Sequence, residues 1–381
     1  MSIAQRLQPF GTTIFAEMSA LARAHDAINL SQGFPDENGP AAVIDAAVHA
    51  LRNEHNQYAP LGGLPSLTTL IAEQFAARTS IATDASTDVT VTAGCTEAIA
   101  ASLMGLVNKG ERVVIFEPYY DSYRACVAMA DAEPVFVTLR APDFTFDPDE
   151  LRRACRGAKA ILLNTPHNPT GRVFTRAELE LIASCCIEHD LIAFSDEVYE
   201  HLVFEGEHIS IASLPGMAER TVTMSSLGKT YSFTGWKIGW TIASPALTRG
   251  VRAAHQVLTF SVATPLQHAA VAALSLPSSY YDDFRADYRA RRDLLASGLA
   301  DIGFKVKPCE GTYFLLADHS PFDLGDDRAF CQHITTELRV AAIPPSVFYE
   351  NVEHGHPLVR FAFCKSRPTL EAALVRLSTL R

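Results

Sequence analysis

Among its 381 residues the chain has no C-x-x-C spacing, no H-E-x-x-H, and no G-x-G-x-x-G after a strand-like run. Each absence removes a class. Eight scattered cysteines (95, 126, 155, 185, 186, 309, 331 and 364) and thirteen histidines without ligand spacing point to neither a disulfide frame nor a metal site. Reduced, buried thiols in a cytoplasmic protein are expected instead. The missing glycine fingerprint disfavours a nicotinamide dehydrogenase. Positive charge is also scarce, with 32 Lys and Arg against 43 Asp and Glu and a net charge of −11, which argues against a nucleic-acid partner. No apolar run reaches the roughly 20 residues that cross a bilayer. The start, MSIAQRLQPFGTTIFAEM, has one arginine and no long apolar core, so it does not read as a secretory leader.

What is present is an ordinary globular composition, 48% hydrophobic and 20% charged, long enough for two domains at roughly 150 residues each. From Asp88 to Ala243 strand-like and helix-like stretches alternate. The candidate strands are DVTVTAG (88–94), ERVVIF (111–116), EPVFVTL (133–139), KAILLN (159–164), DLIAFSDE (190–197), RTVTMS (220–225) and KIGWTIA (237–243). Several are apolar runs with little alternation, as strands covered on both faces are. Between them lie helical stretches such as 97–107 and 175–189, the latter opening with Thr175 and Glu178 at capping-box spacing. This alternation predicts an α/β protein with a mostly parallel sheet. Beyond Ser275 come a long charged helix (281–303), GTYFLLAD (311–318), a helical region around ELRV and VRFAFC (359–364). The expected division is an N-terminal arm completing part of the small domain (1–40), a large domain (41–280) and a small C-terminal α+β domain (281–381).

Open α/β sheets bind ligands beyond the carboxyl ends of their strands. After the first candidate strand, Gly94, Cys95, Thr96 and Glu97 lead into a helix, whose free N–H groups suit an anion, although a plain glycine turn has the same look. EPYYDSY places an aromatic pair that either joins the core or stacks on a flat ligand. TPHNPTG is a turn that adds the amide of Asn168. Asp196 leaves an apolar strand, and a buried carboxylate there asks for a cation or an N–H donor. In SSLGKTYSFTGWKIGW (225–240), Lys229 and Lys237 lie among small residues with no acidic neighbour. Most lysines are surface residues, but a desolvated one becomes a nucleophile. Pyridoxal 5′-phosphate uses this whole set: an amine for its aldehyde, a carboxylate for its ring nitrogen, and an N–H nest with a cation for its phosphate.

The order of INLSQGFPD, NQYAP, VTAGCTEA, EPYYDSY, NTPHNPTGRVF, SDEVYEH, SSLGKTYSFTGWKIGW, HQVLTFSV, CEGTYFLL, VAAIP and VRFAF also closely resembles the fold-type I, class I/II aminotransferases, in the branch with methionine, kynurenine and glutamine aminotransferases. The resemblance implies that Lys229 forms the Schiff base with the cofactor and shuttles the substrate proton, and that Asp196 pairs with the pyridine nitrogen. Tyr199 and Asn168 would hydrogen-bond the ring oxygen, and Tyr120, or Tyr119 in the other register, would stack on the ring. Cys95 and Thr96 through their backbone, Ser226 and Lys237 would hold the phosphate, with Tyr58 lent across a homodimer interface. Arg360 would clamp the substrate α-carboxylate, a task suited to a planar guanidinium. Gly33 would bring backbone beside it.

The substrates implied are an amino acid and a 2-oxo acid. No second arginine stands in HQVLTFSV, while Phe260 and Phe15 supply aromatics, so an apolar, aromatic or sulfur-containing side chain, or that of glutamine, is expected. Thr96 and Glu97 depart from the animal kynurenine enzymes and weaken kynurenine as the main substrate. Cysteine-conjugate β-lyase chemistry in the same site is the alternative.

Overall fold

The computed structural model describes residues 3–380. Twelve strands appear in them. They are β1 Ile28–Asn29, β2 Val89–Thr92, β3 Arg112–Glu117, β4 Glu133–Thr138, β5 Ala160–Asn164, β6 Ile192–Asp196, β7 Thr221–Ser226, β8 Gly239–Ala243, β9 Lys305–Val306, β10 Phe314–Asp318, β11 Val340–Ala341 and β12 Leu358–Ala362.

All seven strands expected between residues 88 and 243 form, and they join one sheet in the order β2-β8-β7-β6-β5-β3-β4. β3 to β7 pair in parallel, and β8 is antiparallel to both β2 and β7. The apolar runs are buried on both faces: every residue of β2, β5, β6, β7 and β8 is buried. Two apolar layers cover the sheet. On one side the helix Gly94–Leu106 packs with Val113, Ile115 and Val222, and on the other the helix Arg176–Glu188 packs with Val114, Ile161 and Ala193. Thr175 and Glu178 close a reciprocal capping box on the second helix, satisfying two of its free N–H groups.

A second layer system is smaller. β12, β10 and β9 form an antiparallel sheet, and β1 pairs in parallel with β11, so the first thirty residues are tied to the last fifty. The helix Ser278–Ile302 runs into this region and stops at Gly303, whose φ of 120° is the left-handed region that glycine enters without cost. The expectation of helix around ELRV needs correction. The helix there is Asp327–Thr336, and Glu337 to Arg339 turn the chain so that Val340 enters β11. Arg339 sits at φ 56°, which a continuing helix does not allow. Among the described residues no helix is long and apolar enough to cross a membrane.

Candidate active site

The carboxyl ends of β2, β5, β6 and β7 open on one cleft, and the candidate residues gather there from separate turns. The helix Gly94–Leu106 starts immediately after β2, so the N–H groups of its first turn face the cleft at the positive end of the helix dipole. Two glycines make that approach possible. A Cβ on Gly239 would lie 2.7 Å from the Cys95 nitrogen, and one on Gly94, itself at φ 71°, would press on Lys237. Lys237 adopts φ 54° and donates from Nζ to Thr96 Oγ1 at 3.2 Å. Ser226 lines the same wall, at the end of β7. N–H groups, a hydroxyl and an ammonium thus converge as an anion cradle.

Asp196, the last residue of β6, is 5% exposed. Its Oδ2 accepts from the Tyr123 hydroxyl at 2.7 Å, and its Oδ1 accepts from the Val198 N–H at 3.3 Å and faces Cys95 Sγ at 3.6 Å. Burial raises its pKa, opposed by these donors and by Lys229. Lys229 stands on a single helical turn, Leu227–Thr230, with Nζ 5.7 Å from the Tyr199 ring centre and 5.5 Å from that of Tyr313. Burial lowers its pKa, and the charge of Lys237 lowers it further against the pull of Cys364 and Asp196. An amine in that setting is less basic than a surface lysine, so more of it is neutral near neutral pH and free to act as a nucleophile.

Arg360, on β12, is 1% exposed, and its polar partners are an amide and a backbone carbonyl rather than a carboxylate. Nη1 donates to Asn168 Oδ1 at 3.1 Å, Nη2 donates to the Ser31 carbonyl at 3.0 Å, and Nε is buried without a partner. Phe314, Phe15 and Phe348 wall the guanidinium at 4.1, 5.2 and 5.4 Å. Burial lowers its pKa to about 10. A buried cation so placed favours an anion. Gly33 lies against it because no other residue fits: a Cβ would meet Phe314 at 2.5 Å and Tyr313 at 2.8 Å. Phe15, Gly33, Tyr120, Asn168, Tyr199, Lys229 and Arg360 line one continuation of the cleft.

The tyrosine doublet separates. Tyr120 faces the cleft, whereas Tyr119 is buried against Phe136 with ring centres 5.5 Å apart. Two expected residues lie elsewhere in this chain. Tyr58 is 81% exposed, and Phe260, expected in the substrate pocket, is 46% exposed with its ring edge-on to Tyr58 at 5.3 Å. The exposed position of Phe260 follows from the end of the helix Pro245–Leu258, after which the chain turns out at φ 67°. Sequence reasoning missed Tyr123, Asn164 and Tyr313. Asn164 ends β5 as Asp196 ends β6, donating to the Asp196 carbonyl at 2.9 Å and accepting from the Asn168 N–H at 2.7 Å. Its position after KAILLN carried the same signal. Tyr123 had a fainter one, three residues beyond Tyr120.

Metal-capable side chains cluster twice among the described residues, as Glu197, Glu200 and His208 and as Asp326, Asp327 and His356. In the first, the Arg78 guanidinium already faces both carboxylates.

The cleft fits pyridoxal phosphate on its own donors: an anion cradle, a buried carboxylate and a lysine of lowered basicity in one cavity. Residues 25–377 match the family Aminotransferase class I and II. The chain is 46% identical over 388 residues to a protein called Probable N-succinyldiaminopimelate aminotransferase DapC of Mycobacterium tuberculosis, covering 98% of each. A solved structure of N-succinyldiaminopimelate aminotransferase from that organism superposes with a TM-score of 0.97 over the full length of both chains. Methionine aminotransferase of Escherichia coli is 41% identical, covering 98% of this chain and 97% of its own. Human kynurenine–oxoglutarate transaminase 1 is 37% identical, covering 97% and 96%. The chain belongs to the class I and II aminotransferases, enzymes that depend on pyridoxal phosphate.

Proposed function

We propose that this aminotransferase takes its amino group from an apolar, aromatic or sulfur-containing L-amino acid, of the methionine, phenylalanine, kynurenine or glutamine type, and passes it to a 2-oxo acid in a ping-pong cycle. One observation carries the reading: a buried guanidinium without a carboxylate partner, walled by three phenylalanines, shares its cleft with Lys229. Arg360 is the group that binds the substrate α-carboxylate, and Phe15 and Phe314 offer the side chain an apolar surface. Bound pyridoxal phosphate supplies the aldehyde that takes up the amino group and the ring that draws electrons from Cα.

The chain's own residues do the rest. Lys229 attaches the cofactor and carries the substrate proton on Nζ, its lowered pKa leaving more neutral amine near neutral pH. The Asp196 carboxylate holds a proton at the ring nitrogen. Tyr120 covers the ring, while Tyr199 and Asn168 serve its oxygen. Cys95, Thr96, Ser226 and Lys237 bind the phosphate. The exposed Tyr58 would reach a second copy's phosphate, so the working unit is a homodimer with shared sites. The buried free thiols suit a reducing, cytoplasmic setting.

The 46% identity to the Mycobacterium tuberculosis relative favours a second reading, in which the donor is N-succinyldiaminopimelate or a similar long, anionic amino acid. A half-reaction screen separates the two. Following loss of the cofactor's visible band, methionine and phenylalanine should convert wild-type protein faster than N-succinyldiaminopimelate. The reverse order would move the assignment to the second reading. With any donor, Lys229→Ala should abolish conversion, and unchanged turnover would overturn the site itself. Selectivity among apolar donors should be shallow, because one methylene changes discrimination by about 1–3 kcal/mol.

A further inference from the structure

Tyr123 lies outside the set of residues given roles above, yet it touches two of them. The helix Ser122–Met129 begins immediately after Tyr120 and Asp121, and its second residue points into the protein beneath the cleft, 2% exposed. The hydroxyl donates to Asp196 Oδ2 at 2.7 Å, the shortest hydrogen bond that the carboxylate accepts. The ring edge meets Tyr120 at 5.6 Å with the planes at 84°. One side chain therefore braces both the acid expected to face the ring nitrogen and the ring expected to stack on the cofactor.

We propose that Tyr123 is a positioning residue for cofactor binding, fixing the Asp196 carboxylate in its orientation and ionised state while buttressing Tyr120. The inference rests on the functional reading above. Its physical basis is the cost of burying a carboxylate. At β6 the fold removes Asp196 from water, and burial alone would favour the neutral acid. Three donors counter this: the Tyr123 phenol, the Val198 N–H and the Cys95 thiol. The thiol contact is long and weak, and the Val198 bond is local to the turn. Only the phenol arrives from another element with a short bond. Desolvation pushes the Tyr123 pKa well above its ordinary value, so the phenol remains a donor throughout the working range. A core tyrosine satisfying its hydroxyl on the nearest acceptor would look similar in outline, and the two cases differ in what the cofactor experiences.

The groups that face Asp196 are Cys95 on the helix after β2, Tyr120 just before the helix Ser122–Met129 and Tyr123 within it, Tyr199 beyond β6 and Lys229 on its turn. Tyr123→Phe deletes one oxygen and leaves the other four in place. The expected result, read by dialysis and visible absorbance, is a dissociation constant for pyridoxal phosphate raised about tenfold, the size of one hydrogen bond to a charged group. The sign of the pH effect follows as well. Without the phenol, Asp196 protonates at a higher pH, so cofactor retention should fail earlier as pH is lowered.

A double-mutant cycle isolates the route. In an Asp196→Asn background, Tyr123→Phe should change affinity much less than in wild type, and the melting temperature of the cofactor-free protein reports any loss of packing. An unchanged dissociation constant and pH limb in the single variant would overturn the proposal, as would an equal effect in both backgrounds. Wild-type protein that takes up no pyridoxal phosphate would sink the functional reading itself, whereas normal uptake by wild type with an indifferent Tyr123→Phe sinks this inference alone.

Discussion

Arg360 shows how much one side chain's chemistry depends on shape rather than charge. Its two Nη groups point to Asn168 and Ser31, and Phe314 lies 4.1 Å from the guanidinium carbon. A lysine there would keep the positive charge and lose both the fork and the stacking. Arg360→Lys should therefore retain pyridoxal phosphate while raising KM for every amino donor by about 10- to 100-fold, the range of one or two charged hydrogen bonds. Steady-state kinetics beside a cofactor titration checks this. Loss of cofactor with KM unchanged would mean that Arg360 binds something other than substrate. At this scale the sequence was legible where chemistry is unusual for its surroundings. Asp196 at the end of an apolar strand and Lys229 among small residues stood out, as did Gly94 before a helix. Tyr123 and Tyr313 did not, because a tyrosine is ordinary in a core. Only the folded distances, 2.7 Å to Asp196 for one and 5.5 Å to Lys229 for the other, distinguish them.

Elements bring these groups together through close backbone approach. β8 runs antiparallel between β2 and β7, and Gly239 at its start lies so near the helix after β2 that a Cβ would sit 2.6 Å from the Gly94 carbonyl carbon. Backbone cannot move aside as a side chain tip can. Gly239→Ala should thus push the helix start away from Lys237 and loosen the anion cradle. The expected cost is about 1–3 kcal/mol of stability from overpacking, with weakened cofactor affinity and near-normal donor preference once the protein is saturated. Thermal melting with and without pyridoxal phosphate measures both effects. A variant as stable and as tightly loaded as wild type would show that the helix start and β8 are free to separate. The strands themselves were readable because a sheet buried on both faces demands uninterrupted apolar runs, and all seven formed. ELRV was misread because it follows the helix Asp327–Thr336 with no Gly or Pro to mark its end, while the turn at Arg339, a φ of 56° in a residue that seldom adopts it, leaves no local mark.

At the scale of the whole molecule, large apolar side chains stand exposed where the proposed second copy would cover them. Val257 is 86% exposed, Tyr58 81%, Phe260 46% and Leu258 40%, a cluster of large apolar side chains around the end of one helix. Contiguous apolar surface of this kind marks a site for another protein surface. Tyr58, which carries a hydroxyl, sits within the cluster against Phe260, and from there it would enter a second copy's phosphate cradle. If sites are shared, each one takes Lys229 from its own chain and Tyr58 from the other. Mixing defective copies then tests the arrangement directly. In a hybrid of Lys229→Ala with Tyr58→Ala, one site carries both defects and the other carries neither. Random exchange of equal amounts makes half the dimers hybrid, so activity should recover to about a quarter of the wild-type value per chain, beyond any residual activity of the Tyr58 variant. Activity that stays at the mean of the two parents, after size-exclusion chromatography of tagged chains has verified exchange, would place Tyr58 outside the partner's site and leave each chain working alone.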